Sequence, residues 1–236
     1  MHHPGSMTLI VALGLSAMAA LHAGAAANSG NPIDRWAEAV GGRERVAAIR
    51  SIYREATIQV MGFEGSIKAW HTFDGKYRKE EQVATFSAVE IFDGTTGTIR
   101  QGAGPARPLQ GAELALARSK TFANWNAVFF AFFPERRRGS VAIQGDHGIV
   151  LTPAGGIDWR ITLDPQTLLP AAMIHQEGER TITVTFVSYE TVDGVKFEKE
   201  IHRTAGDPRS AAVIRFTKTV LNPPVDPSIF SVRPAS

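Results

Sequence analysis

Strict alternation is the feature that most limits what this chain can become. Residues 181–186 read Thr-Ile-Thr-Val-Thr-Phe, which puts Ile182, Val184 and Phe186 on one side of an extended chain and three threonines on the other. A strand of that kind is half-buried and needs partners, and the sequence supplies them at short intervals. Ile52, Ala56, Ile58 and Val60 share one face of an earlier segment, and Trp159, Ile161 and Leu163 share one face of a later one. Asp74-Gly75, Asp93-Gly94 and Glu177-Gly178 punctuate the runs as tight turns. The count is about eleven or twelve short strands. The alternation predicts an antiparallel sheet with one face covered and one wet, and a sheet of that size has to twist or curl. Neither a linker nor a repeat of fixed period divides the chain, so residues 28–236 are expected to form a single domain of mainly β, α+β class.

Two helical regions interrupt the strands. A short helix is expected after Asn31, carrying Pro32, Trp36, Ala39 and Val40 and stopping at Gly41-Gly42. A long one is expected over 109–133, entered at Pro108 and broken by Pro134. On a wheel of 3.6 residues per turn, Phe122, Trp125, Val128, Phe129, Phe132 and Phe133 fall in one arc, with Ala123, Ala127 and Ala131 behind and Phe130 off the arc. Three readings of that aromatic face stay open. It plugs the sheet as ordinary core, it lifts to admit an apolar guest, or it touches a membrane with Arg136, Arg137 and Arg138 beside it. The three arginines also suit a solvated helix C-terminus, where cations are favoured.

Arg54 shares the phase of Ile52, Ala56 and Ile58, and Lys199 that of Phe197 and Ile201. A charge on an inward face needs a partner, so each is a candidate to hold a ligand headgroup or a covering element, or else it reaches the sheet rim along its aliphatic stem.

Several function classes find no support. The net charge of +2, with no long basic run, does not suit nucleic acid. The chain has no cysteine, so it offers no disulfide, thiolate chemistry, Cys-based zinc site or lipidation cysteine. There is no nucleophile elbow, no zinc-protease helix and no phosphate loop, because the glycine-rich stretch at 94–104 lacks the terminal Lys-Ser/Thr. His71, His147, His175 and His202 are scattered without ligand spacing, and no carboxylate pair stands in an apolar setting. No cofactor, metal or catalytic residue is expected. The N-terminus runs apolar from Met7 and offers small-residue cleavage sites at Ala23-Gly24-Ala25 and Ala25-Ala26-Ala27, though only His2 and His3 precede the apolar core. Residues 1–27 are read as an export signal and the mature protein as a soluble periplasmic one.

The order of landmarks is similar to that of a known group. "WAEAVGGRERVAAIRSI" leads into the first strand, and "FDG" at 92–94 precedes the helical region. "LDPQTLLP", "YETVDGVKF" and "LNPPVDPSIF" then follow in sequence. Together they resemble the LolA/LolB-like superfamily of outer-membrane lipoprotein-sorting and carrier proteins. One departure is Glu198, where relatives often carry proline. The resemblance implies an open half-barrel with helices over its concave face and an apolar ligand between the two. The expected function is therefore a non-enzymatic carrier of lipid or lipoprotein acyl chains, with Phe122, Trp125, Phe129, Phe132, Phe133, Arg54 and Lys199 as candidate ligand-binding residues. The alternatives are an envelope sensor or partner-binding module with a filled groove, and an enzyme on the same fold.

Overall fold

The computed structural model describes residues 30–120, 126–207 and 211–231. Thirteen strands form one open antiparallel sheet. They are β1 (Ser51–Val60), β2 (Phe63–Thr72), β3 (Tyr77–Val83), β4 (Phe86–Phe92), β5 (Gly97–Gln101), β6 (Arg107–Pro108), β7 (Gly139–Gln144), β8 (Gly148–Pro153), β9 (Trp159–Leu163), β10 (Pro170–Glu177), β11 (Arg180–Val192), β12 (Val195–Thr204) and β13 (Ala212–Leu221). Their spatial order is β6-β5-β4-β3-β2-β1-β13-β12-β11-β10-β9-β8-β7. Adjacent strands are sequence neighbours everywhere except at the middle, where the first strand meets the last, and β6 and β7 are the two edges.

The turns carry much of this local pairing. Asp93 accepts hydrogen bonds from the backbone N–H groups of Thr95 and Thr96, each at 2.8 Å, and Asp164 does the same for Gln166 and Thr167. Asp193 and Gly194 both take positive φ, 49° and 78°, which lets two residues join β11 to β12 with the strand twist preserved.

Alternation predicts the buried face correctly. Ile52, Ala56 and Ile58 are buried on β1, Trp159, Ile161 and Leu163 on β9, and Ile182 and Val184 on β11. Against this face pack α1 (Pro32–Val40) and α2 (Arg43–Ala47), which precede β1, and α3 (Gly111–Lys120) and α4 (Asn126–Phe132), which lie between β6 and β7. Asn31 caps α1 by accepting from Ile33 N and Asp34 N, and Gly41 ends it at φ 130°.

One expectation changes. β6 is a strand beyond the expected eleven or twelve, where the sequence suggests the entry to a helix at Pro108. Pro108 pairs with Thr98 across the sheet edge, and the Leu109 N–H donates to Gly97 O at 2.8 Å. The helix therefore begins only at Gly111, whose φ of 50° turns the chain out of the sheet. The helix expected over 109–133 corresponds to α3 and α4. The described residues form two helices with different surroundings, and 121–125 lie outside them. Ala117 of α3 joins a small cluster with Tyr77, Phe92 and Leu109. All of Ala127–Phe133 belong instead to the main core with Trp36, Trp159 and Phe197. Ala127, Phe130 and Ala131 are as buried as Val128, Phe129, Phe132 and Phe133. The expected signal segment, 1–27, lies outside the described residues.

Candidate functional site

The layer between sheet and helices holds the candidate residues. Phe132 stands edge-on to Trp36 of α1, with ring centroids 5.0 Å apart, and Phe129 stands edge-on to Phe73 at 5.4 Å. Such perpendicular pairs add to burial because the ring edge meets the electron-rich face. Phe133 is also buried, under the Arg136 guanidinium at 5.2 Å. Phe122 and Trp125 lie outside the described residues.

The arginines after Pro134 hold the end of α4. Arg136 stacks 4.4 Å above the Phe73 ring, and Arg137 donates to Ala131 O at 3.4 Å. Arg43 of α2 donates to Phe132 O and pairs with Asp34 at 2.5 Å. Cations thus sit where the last carbonyls of the helix point, which is the favourable end of its dipole.

Arg54 is 1% exposed, so it does not reach the rim. Its guanidinium forms an ion pair with Glu198, itself 4% exposed, and also donates to the Glu198 carbonyl. Arg54 Nε donates to Thr219 Oγ1 at 3.2 Å, and the Phe216 ring lies 3.4 Å from the guanidinium carbon. Burial lowers the Arg54 pKa from its ordinary value, while the Glu198 charge opposes that shift. The guanidinium remains a cation. The reason for this buried pair lies in the sheet. β1 and β13 pair over nine positions, whereas β12 and β13 pair over only four, from Glu200↔Arg215 to Arg203↔Ala212. Beyond Glu200 the two strands separate, and Arg54 supplies the donor that the Glu198 carbonyl lacks from β13.

Lys199 is linked to the same seam. It pairs with Glu190 at 2.9 Å, and Glu190 accepts from Thr219 at 3.3 Å. Its side chain is nevertheless half exposed, because bulges between Phe186 and Ser188 and between Ser188 and Tyr189 break the strict phase of β11 against β12. Arg54 and Lys199 therefore share a network, but as parts of a sheet seam rather than as free cations facing the groove.

A cleft of about 30 Å³ opens beside this seam. Trp36, Val40, Val128, Met173, Phe186 and Tyr189 line it, and Glu198 closes one side. The volume matches one water molecule and is about a tenth of an ordinary small-molecule site. Sequence phase alone did not single out Trp36, Tyr189 or Glu198. Trp36 was visible as the large residue of α1, but nothing in its spacing told core from cleft.

Further buried polar groups stand on the concave side. His71 is 1% exposed, and neither ring nitrogen has a hydrogen-bond partner. Burial, then the charges of Arg54 and Lys79, lower its pKa from 6.5 to about 3. His175 stacks on Trp159 with centroids 3.8 Å apart and contacts Glu177 at 3.0 Å. Burial pushes the Glu177 carboxyl up, but hydrogen bonds from His175 and Arg203 and the Arg203 charge outweigh it and hold the pKa at about 2. Tyr77 donates to buried Glu90. Glu198 and Glu90 are thus both buried and both held by a partner, Arg54 and Tyr77. Among the described residues no group of three or more His, Asp and Glu side chains is placed to hold a metal ion, and no helix is long and apolar enough to cross a membrane.

No family model and no curated protein matches the chain. Solved structures do. A LolA superfamily protein from Nitrosomonas europaea superposes with a TM-score of 0.54 over 84% of this chain and 96% of its own, at 10% identity. The fold is LolA-like. A DUF1329 family protein from Desulfovibrio piger aligns over 86% of this chain and 98% of its own, at 14% identity and a TM-score of 0.50. At such identities the LolA-like likeness concerns the fold and carries no residue roles. It accounts for an open curved sheet whose concave face is covered by helices.

Proposed function

We propose that this protein is a periplasmic carrier that holds an apolar ligand, a lipid or the acyl chains of a lipoprotein, between the sheet and α4. The observation that carries the reading is the composition of that layer. Seven consecutive buried residues, Ala127–Phe133, pack among α1, α2 and the sheet, with a cleft already open between α1, α4 and β10–β12. Burying one methylene yields about 0.8 kcal/mol, so a long chain gains on the order of 10 kcal/mol before the cost of parting helix and sheet. The cleft is too small for a chain as it stands, so binding requires α4 to move. Phe129, Phe132 and Phe133 then become the lining, together with Phe122 and Trp125 of the preceding segment. Arg54 and Lys199 keep the seam behind the ligand closed.

The test is native mass spectrometry of protein purified from its own envelope, followed by lipid extraction. Co-purifying acyl species, displaced by added fatty acid, are the expected result. A protein that arrives empty and displaces no fluorescent fatty-acid probe would remove the carrier reading. One observation favours a second reading, a sensor or partner-binding module with a permanently filled groove: the larger cleft, about 340 Å³, lies outside the groove. Trp70 and Arg78 line it with the chain at Pro224–Ile229.

A further inference from the structure

The small cleft contains polar groups as well as apolar walls, and these are unequally satisfied. Tyr189 donates to Pro170 O at 2.7 Å, and Glu198 is committed to Arg54. The indole N–H of Trp36 is different. It is buried without a hydrogen-bond partner, on a side chain that is 1% exposed and lines the cleft. Its nearest aromatic neighbour is Phe132, set at 80° to it, and a ring is at best a weak acceptor. Buried N–H groups in native proteins are paired in the great majority of cases, because an unmet one forfeits its interaction with water.

An indole N–H is a donor only, so what satisfies it is an acceptor. The cleft has room for one group the size of a water molecule, and α4 with its phenylalanines borders it. We propose that this cleft is the head-end subsite of the groove, where Trp36 donates to the carbonyl oxygen of an acyl group whose chain lies under α4. The inference rests on the carrier reading and sharpens it. The ligand is recognised as an acyl compound, an ester or a carboxylic acid, rather than as hydrocarbon of any kind. Trp36 is a binding residue that sets this preference, and the exchange of a ring contact for a carbonyl accompanies the displacement of Phe132.

The chain has four tryptophans, so the full-length ¹⁵N-labelled protein gives four indole N–H resonances. Trp70, which lines the outer cleft, is the internal control. Methyl laurate, laurate and dodecane are titrated in turn, with binding of each followed independently by displacement of a fluorescent fatty-acid probe. The expected result is a downfield shift of the Trp36 indole proton with methyl laurate and laurate, and little change with dodecane. A shift with the ester alone assigns the acceptor to neutral acyl groups, and a shift with laurate alone assigns it to free acids. Trp36→Phe is expected to weaken methyl laurate about three- to tenfold, the worth of one hydrogen bond, while leaving dodecane unchanged. The proposal is overturned if the acyl probes bind and the Trp36 resonance stays still, or if dodecane moves it equally. Should none of the three probes bind, the carrier reading falls and this one with it. The wild-type spectra decide the matter even if the variant does not fold.

Discussion

Arg54 and His71 show two ways of burying a polar side chain, and they differ in what they cost. Arg54 is matched by Glu198, Thr219 and two aromatic rings, so its desolvation is offset by charge, hydrogen bonds and cation–π contacts. Removing one partner leaves the other charge buried alone. Arg54→Met is expected to lower unfolding stability by about 3–5 kcal/mol in urea melts, and adding Glu198→Leu to restore a large part of it. A loss below about 1 kcal/mol in the single variant would show that the pair is not sealed from water. His71, in contrast, has no partner and stays neutral, with its pKa lowered from 6.5 to about 3. Below pH 6.5 the unfolded chain binds a proton at this residue and the native protein does not. Stability therefore falls as pH falls, by about 1.4 kcal/mol per unit, down towards pH 3. Between pH 6.5 and 5 the wild-type protein should lose about 2 kcal/mol more than His71→Leu. Parallel pH–stability curves for the two would refute this.

Elements were legible in the sequence to the extent that local rules decide them. The Asp-Gly turns, the stop of the first helix at Gly41-Gly42 and the buried face of β1, β9 and β11 follow from local pattern alone, and the structure agrees. What failed depended on distant partners. The phase of Arg54 was readable, but Glu198 lies 144 residues away, and only the separation of β12 from β13 explains why the two meet. Lys199 is half exposed and paired with Glu190, beside bulges that do not announce themselves in hydrophobic pattern. Within 109–133, Leu109 and Ala117 serve a different cluster from α4, which a single helical wheel does not reveal. Of the candidate ligand-lining residues, Phe129, Phe132 and Phe133 lie together in the main core, while Trp36 emerged only with the fold. A further test concerns the end of α1. A Cβ at Gly41 would stand 2.4 Å from Gly194 O, and the residue has φ 130°. Gly41→Ala should therefore cost about 1–3 kcal/mol from backbone strain alone, with the overlap added, read as a lower urea midpoint. An unchanged midpoint would mean that α1 does not lie on the β11–β12 turn as described.

The whole molecule is a single sheet whose centre is built from its two ends. β1 and β13 pair through nine positions, and Asn222 ties this junction down. Its side chain accepts from Arg50 N at 2.6 Å and donates to Ala48 O at 3.2 Å. Each flank is a succession of local hairpins, and among the described strands this pair is the one that joins the flanks edge to edge. That arrangement has a consequence in time. A chain made from its N-terminus can form β1–β6 early, yet β1 keeps an open edge until residues 212–221 exist, and β12 lacks its partner for as long. Nascent chains stalled before residue 212 should be cleaved readily by protease, and released full-length chains should become resistant; resistance before that point would count against the argument. Synthesis thus leaves both flanks waiting on one late strand, so the centre of the sheet is the last part of it that can be completed.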